Sequence, residues 1–163
     1  LVNDAAYNKW IPFNNLDDMT YEEWNKIIDI NLTGPMIFCK TVAKPMKRNG
    51  VGRIVNISSN AGLAPRGSSI AYAVSKAGLI HLTKCMAVAL GPEILVNCIA
   101  PGYLDGTKMS ANLTEEHIRN YEKSSVLKRA PEKDDVANQV ITFCETDSTT
   151  GQTLVVDSGV LFH

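Results

Sequence analysis

Tyr72 and Lys76 stand four residues apart in the run Ala71-Tyr72-Ala73-Val74-Ser75-Lys76. On a helix that spacing puts both polar tips on one face, an ammonium beside a phenol. A free tyrosine titrates near ~10, and a neighbouring positive charge favours the phenolate, moving it towards the range useful for general acid-base work at neutral pH. Ser59 lies thirteen residues before Tyr72, at the end of the strand-like run Arg53-Ile54-Val55-Asn56-Ile57-Ser58. A hydroxyl at a strand's carboxyl end faces the crevice where open α/β sheets bind ligands, so Ser59 could hold a substrate carbonyl oxygen. Read by spacing alone, a Tyr-x-x-x-Lys pair more often marks a solvated helix face than a catalytic pair.

The elements that must carry these residues are legible. A short strand at 1–3 leads into a polar loop, and Thr20-Tyr21-Glu22-Glu23 reads as a capping box opening a long helix over 21–48. Its irregularity is expected at Asn31–Gly34, because Pro35 cannot donate a hydrogen bond and disfavours helix in the residue before it. A strand at 52–58, a loop at 59–70 and a helix at 71–90 follow. In that last helix Leu79, Leu82, Met86 and Leu90 recur as a stripe suited to packing or subunit contact. Ile94–Ala100 reads as a buried strand broken by Pro101-Gly102, and 103–130 is polar with scattered apolar residues. A helix over 132–146 opens after Pro131 with Glu132, Asp134 and Asp135 suiting its dipole, and Thr153–Val156 closes the chain as a strand.

This ordered set of motifs, Leu1-Val2-Asn3-Asp4-Ala5-Ala6, Asn31-Leu32-Thr33-Gly34, Ser59 with Gly62, Tyr72 with Lys76, and Val96-Asn97-Cys98-Ile99-Ala100-Pro101-Gly102, resembles the short-chain dehydrogenase/reductase family, including its 3-oxoacyl-ACP reductase-like members. The resemblance runs from the first residue to Gly159. It implies an α/β, Rossmann-like doubly wound parallel sheet, of which residues 1–163 would form the carboxyl-terminal portion, strands 4 to 7 with their helices, as one domain. It implies an NAD- or NADP-dependent oxidoreductase interconverting a ketone and a secondary alcohol. Tyr72 would be the acid-base, Lys76 would lower its pKa and bind the nicotinamide ribose, Ser59 would orient the carbonyl, and Asn31 would support a water in the proton relay. Asn3 and Ala5 would line the cofactor, with Pro101, Gly102 and Leu104 at its nicotinamide end. The residue-103–130 segment would be a lid that shapes specificity, and helices 21–48 and 71–90 would build a homodimer or homotetramer.

Two departures stand out. The family's Asn-Asn-Ala-Gly loop reads Asn3-Asp4-Ala5-Ala6, so a Cβ enters space a glycine leaves open. The threonine expected four residues past Gly102 is replaced by Gly106, leaving Thr107, one residue later, to meet the nicotinamide carboxamide. No Gly-x-x-x-Gly-x-Gly turn occurs, so the backbone amides that would neutralise the cofactor's pyrophosphate are expected to be missing with the family's first three strands. In the family order 3-2-1-4-5-6-7 that leaves a contiguous half-sheet with an open edge, expected to bind cofactor poorly and to invite pairing with another chain.

A second reading, a cofactor-independent esterase with Ser59 as nucleophile activated through Tyr72 and Lys76, needs neither cofactor nor histidine. Against it, Ser59 has no Gly-x-Ser-x-Gly elbow. The remaining features bound the function. With 45% apolar and 20% charged residues and a net charge of −1, the chain reads as a globular domain with no electrostatic footprint for nucleic acid. No run of about 18 apolar residues is expected to span a membrane. Cys39, Cys85, Cys98 and Cys144 each sit in an apolar stretch and read as reduced core residues of a cytoplasmic protein. His81, His117 and His163 have no partner at ligand spacing, so no metal site is expected.

Overall fold

In the computed structural model, which describes residues 1–111 and 113–162, four parallel strands form one sheet in the order β1-β2-β3-β4. They are β1 (Val2–Asn3), β2 (Gly52–Ile57), β3 (Ile94–Pro101) and β4 (Thr153–Val156). Every crossover carries helix, as parallel neighbours require. Between β1 and β2 run α1 (Tyr21–Ile28), a π-helical turn (Asp29–Thr33) and α2 (Gly34–Arg48). α3 (Ile70–Leu90) joins β2 to β3, and α4 (Glu115–Ser124) and α5 (Lys133–Glu145) join β3 to β4.

Alternation along β2 divides the core. Ile54 packs with Cys39, Ala87, Ile94 and Val96 on the α2/α3 side, whereas its neighbour Val55 packs with Ile99, Val136 and Phe143 on the α5 side. Central strands covered on both faces explain the continuous apolar runs of β2 and β3. One polar seam crosses the first of these layers. Asn3 and Asn56 are cross-strand partners, and the Asn3 amide donates to Asn56 Oδ1 at 2.8 Å and to Cys39 Sγ at 3.6 Å. Asn56 Nδ2 donates to Thr83 Oγ1 at 2.9 Å, which donates to the Leu79 carbonyl. Each member is buried and satisfied, so the seam fixes both helices on the sheet without an orphaned polar group.

The long helix expected over 21–48 forms, capped by Thr20, whose hydroxyl accepts from Glu23 N at 3.2 Å. Its irregularity is the π turn, where Gly34 N–H reaches back to Asp29 O. The α-helical donor for the Asn31 carbonyl would be Pro35 N, which carries no hydrogen. α4 was not legible as a helix within the polar 103–130 segment. Its signal is Thr114 ahead of Glu115 and Glu116, and the Thr114 hydroxyl accepts from His117 N at 3.3 Å.

Three expectations are corrected. Cys39 and Cys98 are buried, but Cys85 and Cys144 are exposed, because each falls on the outer face of its helix; all four are free thiols. α3 is long and apolar enough, by length and composition, to cross a membrane, although the sequence contains no uninterrupted apolar span. In the fold it is the central core helix, burying Ala71, Ala73, Lys76, Leu79, Ile80, Thr83 and Ala87. Of the expected stripe Leu79 is fully buried, with Lys76, Thr83 and Ala87 completing the inner face, whereas Leu82, Met86 and Leu90 are only partly buried. His163 lies outside the described residues, and among those residues no group of His, Cys, Asp and Glu is placed to hold a metal.

The turn Asn60–Gly62 lies directly on α3, where a Cβ at Gly62 would sit 2.7 Å from Lys76 C and 2.8 Å from Ala77 N. Those atoms are helix backbone and cannot step aside. Gly62→Ala is expected to cost about 2–3 kcal/mol, at the upper end of ordinary overpacking, read as a lower urea midpoint at unchanged m-value; a midpoint equal to wild type would contradict the close approach.

Candidate active site

The strand end, the turn and the start of α3 converge on one cleft. Ser69 caps α3 by accepting from Tyr72 N at 3.2 Å, which fixes the first helical turn and with it Tyr72. Ser58 Oγ donates to the Lys76 carbonyl at 2.8 Å, and Lys76 Nζ donates to the Ile57 carbonyl at 2.9 Å. These two reciprocal bonds clamp the end of β2 to α3, so Ser59, Tyr72 and Lys76 share one pocket. Ser59 also caps the turn it opens, its Oγ accepting from Ala61 N at 3.1 Å.

The cleft has a volume of about 560 Å³, within the ~300–1,000 Å³ usual for small-molecule and cofactor sites. Ala5, Pro101, Gly102, Leu104 and Thr107 line it with the triad, as do Asp4 and Ala6 from the loop after β1. The methyl of Ala6 thus occupies the wall where the resemblance calls for glycine. Thr107 reaches the cleft despite its one-residue offset, with its hydroxyl donating to Leu104 O at 3.2 Å. Two expected site residues do not line it. Asn3 is committed to the polar seam, one layer below. The Asn31 side chain is a structural clamp: Oδ1 accepts from Tyr7 N at 2.8 Å, and Nδ2 donates to Tyr7 O at 2.9 Å and Ser75 Oγ at 3.0 Å. Both amide hydrogens are used. The one Gly-x-Gly of the chain, Gly50-Val51-Gly52, leads from α2 into β2, the reverse of the strand-to-helix order a phosphate turn needs.

The electrostatics differ from the expectation that Lys76 lowers the Tyr72 pKa. Burial pushes the Tyr72 phenol above its ordinary range, opposed by a hydrogen bond with the Ser59 side chain. The Lys76 ammonium, 5.7 Å from the Tyr72 ring centroid, gives one of its three donors to the Ile57 carbonyl. Desolvation therefore wins over the charge, and Tyr72 stands as a neutral proton donor. Lys76, 2% exposed, is lowered to about 8 by burial, with Cys98 and Asp4 pulling back upwards.

Sequence reasoning passed over the far wall. Tyr121 of α4 lines the cleft, donates to the Asp157 carbonyl at 2.8 Å, and lies so close over Gly102 that a Cβ there would overlap its hydroxyl. Asp157 is buried and accepts from the backbone N–H groups of Gly159, Val160 and Leu161. The Asp157-x-Gly159 spacing after β4 was a readable turn signal. Ser58 was hidden in the strand run, since nothing in its sequence context marks its bond to Lys76.

The profile of the family described as Enoyl-(Acyl carrier protein) reductase matches residues 1–161. The chain is 37% identical over 164 residues to Dehydrogenase/reductase SDR family member 4 of Homo sapiens, covering 98% of this chain and 58% of that protein. It is 35% identical over 163 residues to the 3-oxoacyl-(acyl-carrier-protein) reductase FabG of Aquifex aeolicus, covering 98% and 64%. Its fold is similar to the crystal structure of a gluconate 5-dehydrogenase from Burkholderia cenocepacia in complex with NADP and tartrate, with TM-score 0.90, 29% identity, and 98% and 63% of the two chains covered. The chain thus spans less than two thirds of the length of these proteins. All three are named as dehydrogenases or reductases, and the esterase reading finds no support among them.

The buried ammonium makes a stability prediction. Between about pH 8 and 10.5 the unfolded chain keeps a proton on Lys76 that the folded chain has released, so stability rises with pH across that window. Below about pH 8 both states hold the proton and the full cost is present, on the order of 3 kcal/mol at about 1.4 kcal/mol per pH unit. Lys76→Met is expected to be more stable than wild type at pH 7, by about 1–3 kcal/mol after the loss of the bond to Ile57, with that advantage shrinking towards pH 10.5. Urea titrations at a series of pH values read it; a wild-type-minus-variant difference that does not change with pH would refute it.

Proposed function

The chain belongs to the short-chain dehydrogenase/reductase family, and from that premise we propose that it supplies the proton-transfer site of an NAD- or NADP-dependent oxidoreductase interconverting a ketone and a secondary alcohol. The observation that carries this reading is the convergence of Ser59, Tyr72 and Lys76 on one cleft through the β2–α3 clamp. The nicotinamide cofactor, when bound, supplies or accepts the hydride. Ser59 holds the substrate oxygen and Tyr72 gives it a proton in reduction or takes one in oxidation. A phenol kept neutral by burial suits the reductive direction, because the donor is loaded at neutral pH.

The residues present fit the nicotinamide-ribose end of such a cofactor. The Lys76 ammonium and Tyr72 hydroxyl offer donors for ribose oxygens, Ala5 and Ala6 form one wall, and Pro101, Gly102, Leu104 and Thr107 form the other. Asn3 fits only as support beneath that wall. Asn31 would enter the proton relay through its carbonyl, accepting from a water, because its α-helical donor position is Pro35, which has no N–H to give. Assembly as a homodimer or homotetramer is favoured by exposed apolar side chains on α2 and α3, Ile37, Phe38, Val74 and Val88. Sedimentation of a monomer at micromolar concentration would remove that part.

The decisive test is carbonyl-dependent oxidation of NADH or NADPH by the chain and by a form extended ahead of Leu1 through a Gly-rich phosphate turn. Tyr72→Phe keeps the ring and removes the proton, and is expected to lower kcat by about 10²–10⁴. Turnover by Tyr72→Phe equal to wild type would overturn the assignment.

A further inference from the structure

Among the polar residues of the cleft that have no part in proton transfer are Arg66, Ser68 and Lys108. Arg66 and Lys108 are exposed at its mouth, and among the described residues neither side chain makes an ion pair or a hydrogen bond. Ser68 is 7% exposed, yet its hydroxyl finds no hydrogen-bond partner. A buried hydroxyl without a partner costs about 1–3 kcal/mol unless something supplies an acceptor. Asp4 is the one carboxylate on the described lining, and it acts on Lys76. Arg66 and Lys108 therefore face the cleft without an ion-pair partner among the described residues.

Backbone geometry sets where that charge lies. Gly67, between Arg66 and Ser68, has φ +114°, and a Cβ on it would be 3.3 Å from Tyr72 Cδ1. Only glycine turns the chain there against the Tyr72 ring, and its two neighbours, Arg66 and Ser68, also line the cleft. Ile11 N donates to the Ser68 carbonyl at 2.8 Å, which ties the strap carrying Trp10 across the same rim.

We propose that Arg66 and the Ser68 hydroxyl, with Lys108 of the same lining, form a subsite for a substrate carboxylate, so that the preferred substrates are short oxo acids and the corresponding hydroxy acids. A guanidinium fork matches the two oxygens of a carboxylate, and the hydroxyl donor gives one of them a further bond. Bound there, the acid group would place a carbonyl a few bonds away beside Tyr72 and Ser59. The inference rests on the oxidoreductase reading for its substrate class, but the subsite can be tested without turnover.

Trp10 lines the cleft and reports its occupancy by fluorescence, with Trp10→Phe identifying its signal. Pyruvate, 3-oxobutanoate and 4-oxopentanoate are titrated, each against its methyl ester. At least one acid is expected to bind about ten-fold or more tightly than its ester, as loss of a charge-assisted hydrogen bond implies. Arg66→Gln should bring that ratio to near one, Arg66→Lys should restore part of it, and Ser68→Ala should reduce it by a smaller factor. Equal binding of every acid and its ester, or an acid preference untouched in Arg66→Gln, would overturn the subsite. In turnover, Arg66→Gln should raise KM for the acid with little change in kcat. Failure of the wild type to reduce any acid or ester with NADH or NADPH would count against the reaction instead, with the fluorescence ratio still deciding the subsite.

Discussion

The burial of Lys76 at the junction of β2 and α3 is the constraint on which the rest of the molecule depends. An ammonium 2% exposed is tolerable only because the Ile57 carbonyl receives its proton, and the next residue, Ser58, returns a bond to the Lys76 carbonyl. This pair of bonds sets the height of α3 along β2. Gly62 then lets the following turn rest on the helix backbone at Lys76 and Ala77. A displacement of α3 by one turn would break all three contacts together, leaving a charge and a carbonyl buried without partners.

The polar seam secures the same helix further along. Asn56 links strand β1, through Asn3, to α3, through Thr83, in a layer otherwise filled by Ile54, Val96 and Ala87. An apolar interface alone would allow α3 to slide, since hydrophobic burial has no direction. Hydrogen bonds between fully buried amides and hydroxyls do have direction, and they select one register. The clamp and the seam together give a rigid inner wall to the cleft, while its outer wall is α4, held by Tyr121 to the carbonyl of Asp157. The outer wall has no buried residue of its own in α4, consistent with an element whose position is set by a few polar contacts.

Burial of the clamp also sets the character of the proposed acid-base pair. The desolvation that makes Lys76 easy to deprotonate makes Tyr72 hard to deprotonate, because the two groups carry charge in opposite protonation states. Burial outweighs the Lys76 ammonium 5.7 Å from the Tyr72 ring and keeps the phenol a donor. Arg66 and Lys108 line the same cleft but remain exposed to solvent.

Much of this was written in the chain as local chemistry. The spacing of Tyr72 and Lys76, the hydroxyl cap at Thr20, the break before Pro35 and the apolar runs of β2 and β3 each act over a few residues, so their outcome follows from the sequence, whereas the Glu23 carboxylate of the expected capping box bonds Lys9 instead. The order of parallel strands followed from the resemblance of these motifs taken together. Tertiary structure alone decided that the side chains of Asn3 and Asn31 serve as fasteners, because their partners Asn56, Tyr7 and Ser75 lie 24 to 53 residues away. It decided that burial outweighs the lysine charge at Tyr72, since desolvation depends on everything packed around a group and on none of its neighbours in sequence. The same holds for Ser68 and Arg66, ordinary loop residues until the fold brings them to the lining of the Tyr72 cleft.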